Sequence, residues 1–498
     1  MSNQSHTKSA SPIGEWFKYH FIEKKLSSWP GILILFILAL IIGYFSIEVD
    51  YRAGFGVVLV FAFFFLVTLF MKNPYFGLYF LIAYSALPNF FIKMLIDSPT
   101  KIDFGRVIDV LTLLVFISLF GKAKPQKIDK ASFWGNPITY AFLLLLFYYV
   151  LEALNPNMFS IAGWFSFMSQ YTLVLLSFYI LFNLLNSWKK VKYFIHFNIV
   201  LFTVLSAYSC KQQWFGLTSF EQRWATHSLE TYLLLFQGGF LRKWSTLSDP
   251  AIAGVVFSSV AVLCAVLLLR VKGTSAKIGL SVALMFNLLG YTYSGTRTGT
   301  LILVGGIAFY GIATIFELRT LIFLAATVGA FIVLMVSPYS PPSISRIKSS
   351  FEGTKDPSAA IRDYNRHQVQ PYLYSHPMGG GVYTSGFEGP KYNPGHFLRD
   401  FQPDSGYMKV FAEQGWVGLA TLLITYFMIL SHALRNFYKS LNPEFQDYSI
   451  ALISMIFALM VGQYSQFAMG AYPQELFYLG ALVFFIKMPY FENEKINL

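Results

Sequence analysis

Apolar residues occur along the chain in blocks long enough to cross a lipid bilayer as helices. "GILILFILALIIGYFSI" begins at Gly31 and "GFGVVLVFAFFFLVTLF" begins at Gly54. An α-helix needs about 20 such residues to span about 30 Å of hydrocarbon. Similar blocks recur to the end of the sequence, with polar segments between them. The pattern predicts an all-α polytopic membrane protein.

The apolar blocks predict about 12 to 14 transmembrane helices. Their expected positions are 30–46, 54–71, 75–95, 106–121, 137–153, 169–186, 193–208, 251–270, 277–293, 299–316, 319–337, 407–433, 448–467 and 472–488. The predicted organisation is an N-terminal tail at 1–29, a transmembrane bundle at 30–337, a partly helical polar loop at 338–405, C-terminal transmembrane helices at 406–488 and a tail at 489–498.

Composition narrows the class of protein. Charged residues make up only 12% of the 498 residues and apolar residues 55%, whereas a soluble domain has about 25% charged residues. Residues 1–29 contain no apolar core of signal-peptide type, so the first span is expected to stay in the mature protein. The only cysteines, Cys210 and Cys264, argue against a disulfide framework and a thiolate metal site.

Lysines indicate the orientation of the chain in the membrane. Loops that face the cytoplasm carry an excess of lysine and arginine. The lysine-rich segments are the N-terminal tail, the loops after the fourth, sixth and twelfth spans, and the loop between the eighth and ninth spans. All of these segments fall on one side of the membrane if the N-terminus is inside. Both termini are therefore predicted to be cytoplasmic.

The opposite side carries arginines that the orientation rule does not explain. They are Arg223, Arg242, Arg297, Arg346, Arg362, Arg366 and Arg399. Guanidinium groups bind phosphate through two parallel hydrogen bonds and stay charged when partly buried. The alternative for any one arginine is an ordinary salt bridge with an aspartate on the same side. Those aspartates are Asp249, Asp356, Asp363, Asp400 and Asp404. For the whole set, a phosphate-bearing substrate at the outer face is the better explanation.

The segment "SGTRTG" places Arg297 between two predicted spans. Its neighbours are serine, glycine and threonine, and such small residues leave room for a bulky lipid headgroup beside the guanidinium group. The segment "RKWSTLSDPAIAG" precedes another span, with Asp249 and Pro250 as a typical helix start and Ser248 as an alternative cap. A helix start explains Asp249, but it does not explain Arg242 on the outer side.

The long loop contains a predicted helix, "DPSAAIRDYNRHQVQPYLYSHP". Asp356 is its expected N-cap, and the helix is expected to end before Pro371 or Pro377. Arg362 and Arg366 are one turn apart and share a face, so the pair could hold the two phosphates of a pyrophosphate. The alternative is a solvated helix face that is paired locally.

A glycine-rich turn, "HPMGGGVYTSG", follows this helix and includes His376 and Gly379. Such a turn can bring backbone N–H groups close to an anion or a sugar. It lacks the strand, the lysine and the serine or threonine of a nucleotide-binding P-loop, which excludes nucleotide binding of that type.

The segment "QPDSGYMKVFAEQGWVGL" leads from the loop into the span at 407–433. Asp404 is expected at the outer end of the helix, with Ser405 as a candidate N-cap. The Asp404 carboxylate either favours the helix dipole or accepts a proton from a sugar hydroxyl. Glu413 and Gln414 lie deeper, where an acidic residue usually faces a cavity or a partner rather than lipid.

In their order along the chain, these stretches resemble the O-antigen polymerase and O-antigen ligase superfamily. "HPMGGG" is similar to the family's "HP-x-G-x-G", and "DSGYMKVFAEQGWVGL" is similar to its "(H/D)N-x-Y-L…E-x-G-x-x-G". The resemblance covers residues 240–430, roughly. It implies a GT-C-like, multi-pass glycosyltransferase of the bacterial inner membrane whose active site faces the periplasm. The implied partners are a glycan on undecaprenyl pyrophosphate, membrane lipids, a chain-length regulator and a flippase, with no nucleic acid. The resemblance implies no metal and no other cofactor.

The resemblance also implies roles for individual residues. The implied catalytic residues are Arg297, Arg362 and Asp404. The two arginines would contact the pyrophosphate leaving group, and the aspartate would contact the acceptor. The implied substrate-binding residues are Arg242, Arg366, His376, Gly379, Tyr407 and Asp249.

Asp404 favours one activity within the superfamily. Ligases usually have a histidine at this position, and the nearest histidines here are His376 and His396. The aspartate favours a polymerase, which transfers glycan to the hydroxyl of another lipid-linked repeat unit.

One alternative is a ligase that transfers polymer to lipid A core or another acceptor. A second is a transporter of lipid-linked sugar, which would keep ionisable groups near mid-membrane and show internal repeats, whereas these charges collect at one face.

Overall fold

The computed structural model describes residues 51–97, 103–120, 133–237, 239–338, 345, 348 and 357–496. The tail at 1–29 and the predicted span at 30–46 lie outside the described residues. Regular structure in the described part is almost entirely helical, which confirms the predicted all-α polytopic membrane protein.

The helices follow one another with short connections. The first nine are α1 (Tyr51–Lys72), α2 (Pro74–Ser85), α3 (Pro88–Met94), α4 (Phe104–Phe120), α5 (Pro137–Leu151), α6 (Ile161–Leu184), α7 (Trp188–Trp214), α8 (Ser219–Ala225) and α9 (Leu229–Leu235). A two-stranded antiparallel hairpin follows, formed by β1 (Phe236–Gln237) and β2 (Phe240–Leu241). The remaining helices are α10 (Pro250–Arg270), α11 (Thr274–Ser294), α12 (Arg297–Ala313), α13 (Leu318–Val336), α14 (Pro357–Ser375), α15 (Gly389–Tyr392), α16 (Gly406–Lys439), α17 (Pro443–Gly462) and α18 (Gln474–Ile496).

Seven described helices are long and apolar enough to cross a membrane. They are α5 with its short 3-10 extension, α6, α7, α10, α13, α16 and α17. The pair α2 and α3, bent by 47°, would make an eighth span. Each predicted span from 54–71 onward falls on a helix or, at 75–95, on this bent pair.

The chain divides into two compact units. Among the described residues, the first comprises 51–81 and 109–120, and therefore contains α1 and most of α2 and α4. A Cβ on Gly77 in α2 would lie 3.1 Å from side-chain atoms of Phe70 in α1 and of Val115 in α4. The glycine thus allows the three helices of this unit to pack closely.

The second unit holds the candidate site and comprises the described residues between 82 and 108 and between 133 and 496. Its most enclosed helix is α10, in which every residue from Ala253 to Leu267 is buried. A helix that is apolar on all sides is typical of a protein interior or of a membrane span, and here α11, α12 and α17 pack around α10. A second group is formed by α5, α6, α16 and α18, which contact one another in a ring.

Several helices differ in detail from the predictions. α17 ends at Gly462, so the predicted span 448–467 extends too far. α16 is broken at Gly415, inside the predicted span 407–433. α14 ends at Ser375, before Pro377, which is one of the two predicted ends, and the helix contains Pro371. Tertiary packing outweighs the proline's preference, because Val369 and Leu373 on either side of it are buried against the loop and α16.

Candidate active site

Arg297 lies directly after the turn between α11 and α12. Gly295 follows the last residue of α11 with φ of 59°, the left-handed conformation that favours glycine after a helix. Thr296 is the N-cap of α12 and Arg297 is its first residue. The Arg297 side chain is half-buried, and its Nε and Nη1 atoms are enclosed by protein. The charge therefore lies in the wall of the bundle end rather than on an open surface.

The start of α10 packs directly against this turn. The Thr296 hydroxyl donates a hydrogen bond to the Pro250 carbonyl at 2.7 Å. A Cβ on Gly254 would lie 2.6 Å from Ser294 Oγ, so α10 can approach this closely only because position 254 is glycine. The conformation of the turn that precedes Arg297 is therefore set by its contacts with a buried helix.

Asp249 acts as the N-cap of α10. Its Oδ1 accepts hydrogen bonds from the N–H groups of Ala251 at 2.7 Å and Ile252 at 3.0 Å, and Ser248 Oγ donates to its Oδ2 at 2.8 Å. These bonds satisfy N–H groups that would otherwise be unpaired at the helix start. Both carboxylate oxygens are thus engaged in the helix-start role that the sequence predicts.

Arg242 braces the same turn. Its Nε donates to the Ser294 carbonyl at 2.9 Å, its Nη2 to Thr296 Oγ1 at 3.0 Å and its Nη1 to the Leu234 carbonyl at 3.3 Å. The side chain is buried, with 7% of its surface exposed. All three guanidinium nitrogens are therefore committed to protein oxygens, and Arg242 holds the residues that precede Arg297.

The segment Gln463–Ser465, directly after α17, connects this turn to other elements. The Gln463 carbonyl accepts hydrogen bonds from the Gly406 N–H at 3.0 Å and from Ser405 Oγ at 3.1 Å, at the start of α16. Ser465 Oγ and Thr298 Oγ1, in the first turn of α12, lie 2.5 Å apart. The segment thus ties the start of α16 to the start of α12.

Tyr464, in the middle of this segment, contacts α14. Its hydroxyl accepts a hydrogen bond from Arg366 Nη1 at 3.2 Å, and the guanidinium carbon lies 5.1 Å from the centre of its ring. Arg366 is half-buried, and its Nε finds no acceptor among the described residues. Arg362 lies one turn earlier in α14, but its side chain is outside the described residues.

The segment Gln463–Ser465 therefore gathers three of the predicted charged residues at one end of the bundle. Arg297 precedes Thr298, Asp404 precedes Ser405, and Arg366 binds the segment directly. Asp404 is half-buried, with Oδ2 enclosed by protein. Two guanidinium groups and one carboxylate are thus carried by neighbouring elements, an arrangement suited to binding an anion beside a group that can accept a proton.

The start of α16 is formed as predicted. Ser405 is its N-cap, accepting a hydrogen bond from the Met408 N–H at 3.3 Å. Tyr407 is half-buried, and its hydroxyl donates to the Met460 carbonyl at 2.7 Å. This bond fixes the first turn of α16 against the end of α17.

The glycine-rich turn binds a break in α16. Gly415 has φ of 65° and ψ of −159°, which interrupts the helix. The Gly380 N–H donates to the Ala412 carbonyl at 2.9 Å and the Gly381 N–H donates to the Glu413 carbonyl at 2.7 Å. From the sequence, N–H groups of such a turn can come close to an anion or a sugar. These two instead replace hydrogen bonds that the broken helix has lost.

Gly379 and Gly415 allow the turn and the helix to meet. Gly379 has φ of +72°, and a Cβ on it would lie 2.5 Å from the Gly415 backbone nitrogen. On the other side of the break, the Trp416 N–H donates to the Pro377 carbonyl at 2.9 Å. Gly379 is therefore a buried contact between loop and helix, and any effect on a substrate would be exerted through the position of α16.

Glu413 confirms that the deep acidic residue faces a partner rather than lipid. It is 1% exposed, and its carboxylate accepts hydrogen bonds from Ser385 Oγ at 2.7 Å and from the Ser385 N–H at 3.3 Å. Gln414 is also buried, and its backbone carbonyl accepts a hydrogen bond from the Tyr148 hydroxyl at 2.6 Å. The loop and α5 are thus both bonded to the break.

Two histidines lie where α14 meets the following loop. The His376 ring stacks on the Tyr372 ring at a centroid distance of 4.0 Å, and its Nδ1 lies 2.9 Å from Ser375 Oγ. His396 is buried; its Nδ1 accepts a hydrogen bond from the Leu398 N–H at 3.0 Å, and its Nε2 lies 3.2 Å from the Tyr372 hydroxyl. Burial lowers the pKa of His396, and the nearby His376 lowers it further. The neutral form of His396 therefore holds the loop.

A comparison with protein families finds one match. The family model described as O-antigen ligase matches residues 280–423. Residues 280–423 thus resemble the O-antigen ligase domain that this model describes. The match confirms the resemblance to the O-antigen ligase and polymerase superfamily, whose members are membrane glycosyltransferase-like enzymes. No curated protein matches the chain.

The O-antigen ligase domain includes most of the predicted site residues. Arg297, Asp404 and Arg366 lie inside it, as do Arg362, His376, Gly379 and Tyr407. Arg242 and Asp249 lie before it. Arg242 binds the turn at the start of α12, and Asp249 caps α10, which packs against that turn. The end of the hairpin and the start of α10 thus lie outside the O-antigen ligase domain but contact the turn that precedes α12.

Sequence analysis missed the segment Gln463–Ser465, which lies after the O-antigen ligase domain. It was placed inside the predicted span 448–467, because apolar residues flank it on both sides. The run "GQYSQ" was the available signal, since four of its five residues are polar and two glutamines are unusual in a lipid-facing helix. No group of three histidine, cysteine, aspartate or glutamate side chains with metal-binding geometry occurs among the residues that the structure describes.

Proposed function

We propose that the protein is a polysaccharide polymerase of the O-antigen type. It transfers a glycan from undecaprenyl pyrophosphate to a hydroxyl of another lipid-linked repeat unit. The reaction takes place at the periplasmic face of the bacterial inner membrane, with both termini of the chain in the cytoplasm. The family match and the multi-pass helical fold support a membrane glycan transferase, and the lysine-rich loops support the orientation.

One observation carries the proposal. The segment Gln463–Ser465 brings together the helix starts that carry Arg297 and Asp404, and it binds Arg366 directly. Two cationic groups suit a pyrophosphate, and an adjacent carboxylate suits an acceptor hydroxyl. Arg362, one helical turn from Arg366, is expected to join the cationic group.

The proposed reaction is a substitution at the anomeric carbon of the donor glycan. The acceptor hydroxyl oxygen forms the new glycosidic bond, and the bond between the anomeric carbon and the pyrophosphate oxygen breaks. Asp404 receives the hydroxyl proton, and undecaprenyl pyrophosphate leaves with the bonding electrons. The role of Arg297, Arg362 and Arg366 is to stabilise the negative charge that develops on the pyrophosphate.

The magnitude of this stabilisation is large enough to decide activity. A pre-placed donor directed at developing negative charge typically contributes about 3–4 kcal/mol to lowering the barrier. The enclosed Nε and Nη1 atoms of Arg297 lie in a setting where water screens such an interaction less than at an open surface. Loss of this one guanidinium group is therefore expected to reduce the rate by about two to three orders of magnitude.

The second candidate function is that of a ligase, which transfers finished polymer to lipid A core or another acceptor. The description of the matching family model favours it. Asp404, at the position where ligases usually have a histidine, favours the polymerase. The third candidate function is transport of a lipid-linked sugar. The charged residues gathered at one end of the bundle argue against it.

Deletion of the gene, followed by glycan gels and analysis of the lipid carrier, distinguishes these functions. A polymerase deletion leaves single repeat units, some of them transferred to the final acceptor. A ligase deletion leaves long polymer on the carrier. Repeat units trapped on the cytoplasmic leaflet would identify a transporter and refute both transferases.

A further inference from the structure

A groove lies at the end of the bundle opposite the candidate active site, between α7 and α11. Near the site the two helices touch, since a Cβ on Gly290 would lie 2.9 Å from Ser206 Cβ. Towards the other end they separate, and a Cβ on Gly279 would meet no described atom within 4 Å. The helices thus form a V that opens towards the N-terminus of α11.

A cavity of about 680 Å³ occupies this V. Its walls are one face of each helix, with residues at the spacing of helical turns. The lining from α7 includes Ile199, Val200 and Val204, and that from α11 includes Ala276, Gly279, Leu280 and Ala283. The small residues of α11 leave the space open, and the apolar walls suit a hydrocarbon chain.

The mouth of the groove is charged. Lys192 Nζ pairs with Glu444 Oε1 at 2.8 Å, and Arg270 Nη1 pairs with Asp447 Oδ1 at 3.2 Å. Both lining carboxylates are therefore already bound by a cation. Lys272, exposed at the same mouth, has no acidic partner within the described part of the chain.

We propose that this groove binds a glycerophospholipid with an anionic headgroup. One acyl chain lies between α7 and α11, and the phosphate lies beside Lys272 with Lys192 on the opposite wall. Basic groups at the membrane surface attract anionic headgroups, and the groove places such a group directly above an apolar slot. The site lies in the leaflet opposite the candidate active site, and it is independent of the proposed transfer reaction.

The charge pattern decides the class of lipid. A zwitterionic headgroup needs an acidic partner for its ammonium group, and the two lining acids are engaged by Lys192 and Arg270. The remaining cation, Lys272, attracts a headgroup with net negative charge. We therefore expect phosphatidylglycerol to bind more tightly than phosphatidylethanolamine.

Native mass spectrometry of the full-length protein in detergent tests the proposal. Phosphatidylglycerol, phosphatidylethanolamine and undecaprenyl phosphate are each titrated against wild type and three variants. Gly279→Leu fills the slot, and Gly329→Leu is the matched control because position 329 is also an exposed helical glycine with open space around it. Lys272→Glu reverses the headgroup charge.

We expect Gly279→Leu and Lys272→Glu each to weaken phosphatidylglycerol binding about tenfold, while Gly329→Leu binds as wild type does. Equal phosphatidylglycerol binding by wild type and Gly279→Leu would overturn the site. Equal affinity for phosphatidylethanolamine and phosphatidylglycerol would overturn the headgroup assignment. Preferential binding of undecaprenyl phosphate would refute the phospholipid as occupant. Unchanged melting temperatures of the variants show that each of them is folded.

Discussion

Contacts made by neighbouring residues set the position of Arg297. Arg242 binds Ser294 and Thr296, which precede it, and Thr298, which follows it, pairs with Ser465. A guanidinium group held in this way needs little reorganisation when negative charge develops beside it. The proposed role of Arg297 therefore depends on a prearranged backbone as much as on its own side chain.

Arg297→Ala is expected to abolish polymer formation in a protein that still reaches the membrane. Arg297→Lys should restore little, because an ammonium group lacks the planar fork that binds two phosphate oxygens. The measurement is a glycan gel of a deletion strain complemented with each variant. Arg435→Ala, an exposed arginine near the other end of α16, is the control and should behave as wild type. Wild-type polymer levels with Arg297→Ala would refute its role on the pyrophosphate.

His396 makes the loop sensitive to acid. Burial and the nearby His376 lower the pKa of His396 in the folded state. In the unfolded state a histidine has a pKa of about 6.5. Below that pH the unfolded state binds more protons than the folded state, so stability falls as the pH falls.

His396→Gln should therefore remove part of the pH dependence, because glutamine retains a hydrogen-bond acceptor that does not titrate at these pH values. The measurement is the rate of proteolysis within the loop at about pH 7.5 and about pH 5.5. Wild type should become more susceptible at the lower pH and the variant less so. An identical change in both proteins would show that His396 does not control the loop.

At the scale of elements, the central feature is the junction between the glycine-rich turn and α16. The turn supplies N–H donors to Ala412 and Glu413, and α16 supplies the Trp416 N–H to Pro377. The broken helix and the turn therefore stabilise each other. Since Asp404 lies at the start of α16, the junction also helps to set the position of the proposed base.

Gly379→Ala should destabilise this junction, because a left-handed φ costs a non-glycine residue about 1–2 kcal/mol and because its Cβ would meet the Gly415 nitrogen at 2.5 Å. Gly395→Ala is the matched control in the same loop, since a Cβ there meets no described atom within 4 Å. Thermal unfolding of the two purified variants measures the difference. Equal melting temperatures would contradict the assigned role of Gly379.

Sequence patterns predicted the helices well and the contacts between them poorly. The apolar blocks located the spans because the bilayer imposes a length and an apolar composition on each one. The break at Gly415 and the use of Gly380 and Gly381 depend on residues far apart in the chain, so local pattern did not reveal them. Arg297 and Asp404 were selected from the sequence, but their link through Ser465 and Gln463 required the structure.

At the scale of the whole molecule, the proposed periplasmic and cytoplasmic ends differ in their charged residues. The proposed periplasmic end carries arginines on helix starts and in a loop, and the proposed cytoplasmic end carries the lysine-rich loops. The lysines are proposed to set the orientation, and the arginines are proposed to bind substrate. In this proposal the two groups of positive charge have separate causes.

Cysteine labelling tests this orientation. Cys210 and Cys264 are both buried, so new surface cysteines should dominate the signal. Phe387→Cys, at an exposed position in the loop, should react with an impermeant maleimide from the periplasmic side. Leu441→Cys, between α16 and α17, should react only after the membrane is permeabilised. The reverse pattern would place the candidate site in the cytoplasm and refute the proposed reaction.

The central claim is that this bundle end joins lipid-linked glycans, and reconstitution tests it most directly. Purified protein in lipid vesicles is given the repeat unit linked to undecaprenyl pyrophosphate, and the products are separated by glycan size. Wild type should produce a ladder of polymers and release undecaprenyl pyrophosphate, while Arg297→Ala should produce neither. A ladder from Arg297→Ala equal to that of wild type would contradict the account, as would a wild-type protein that transfers polymer only to lipid A core.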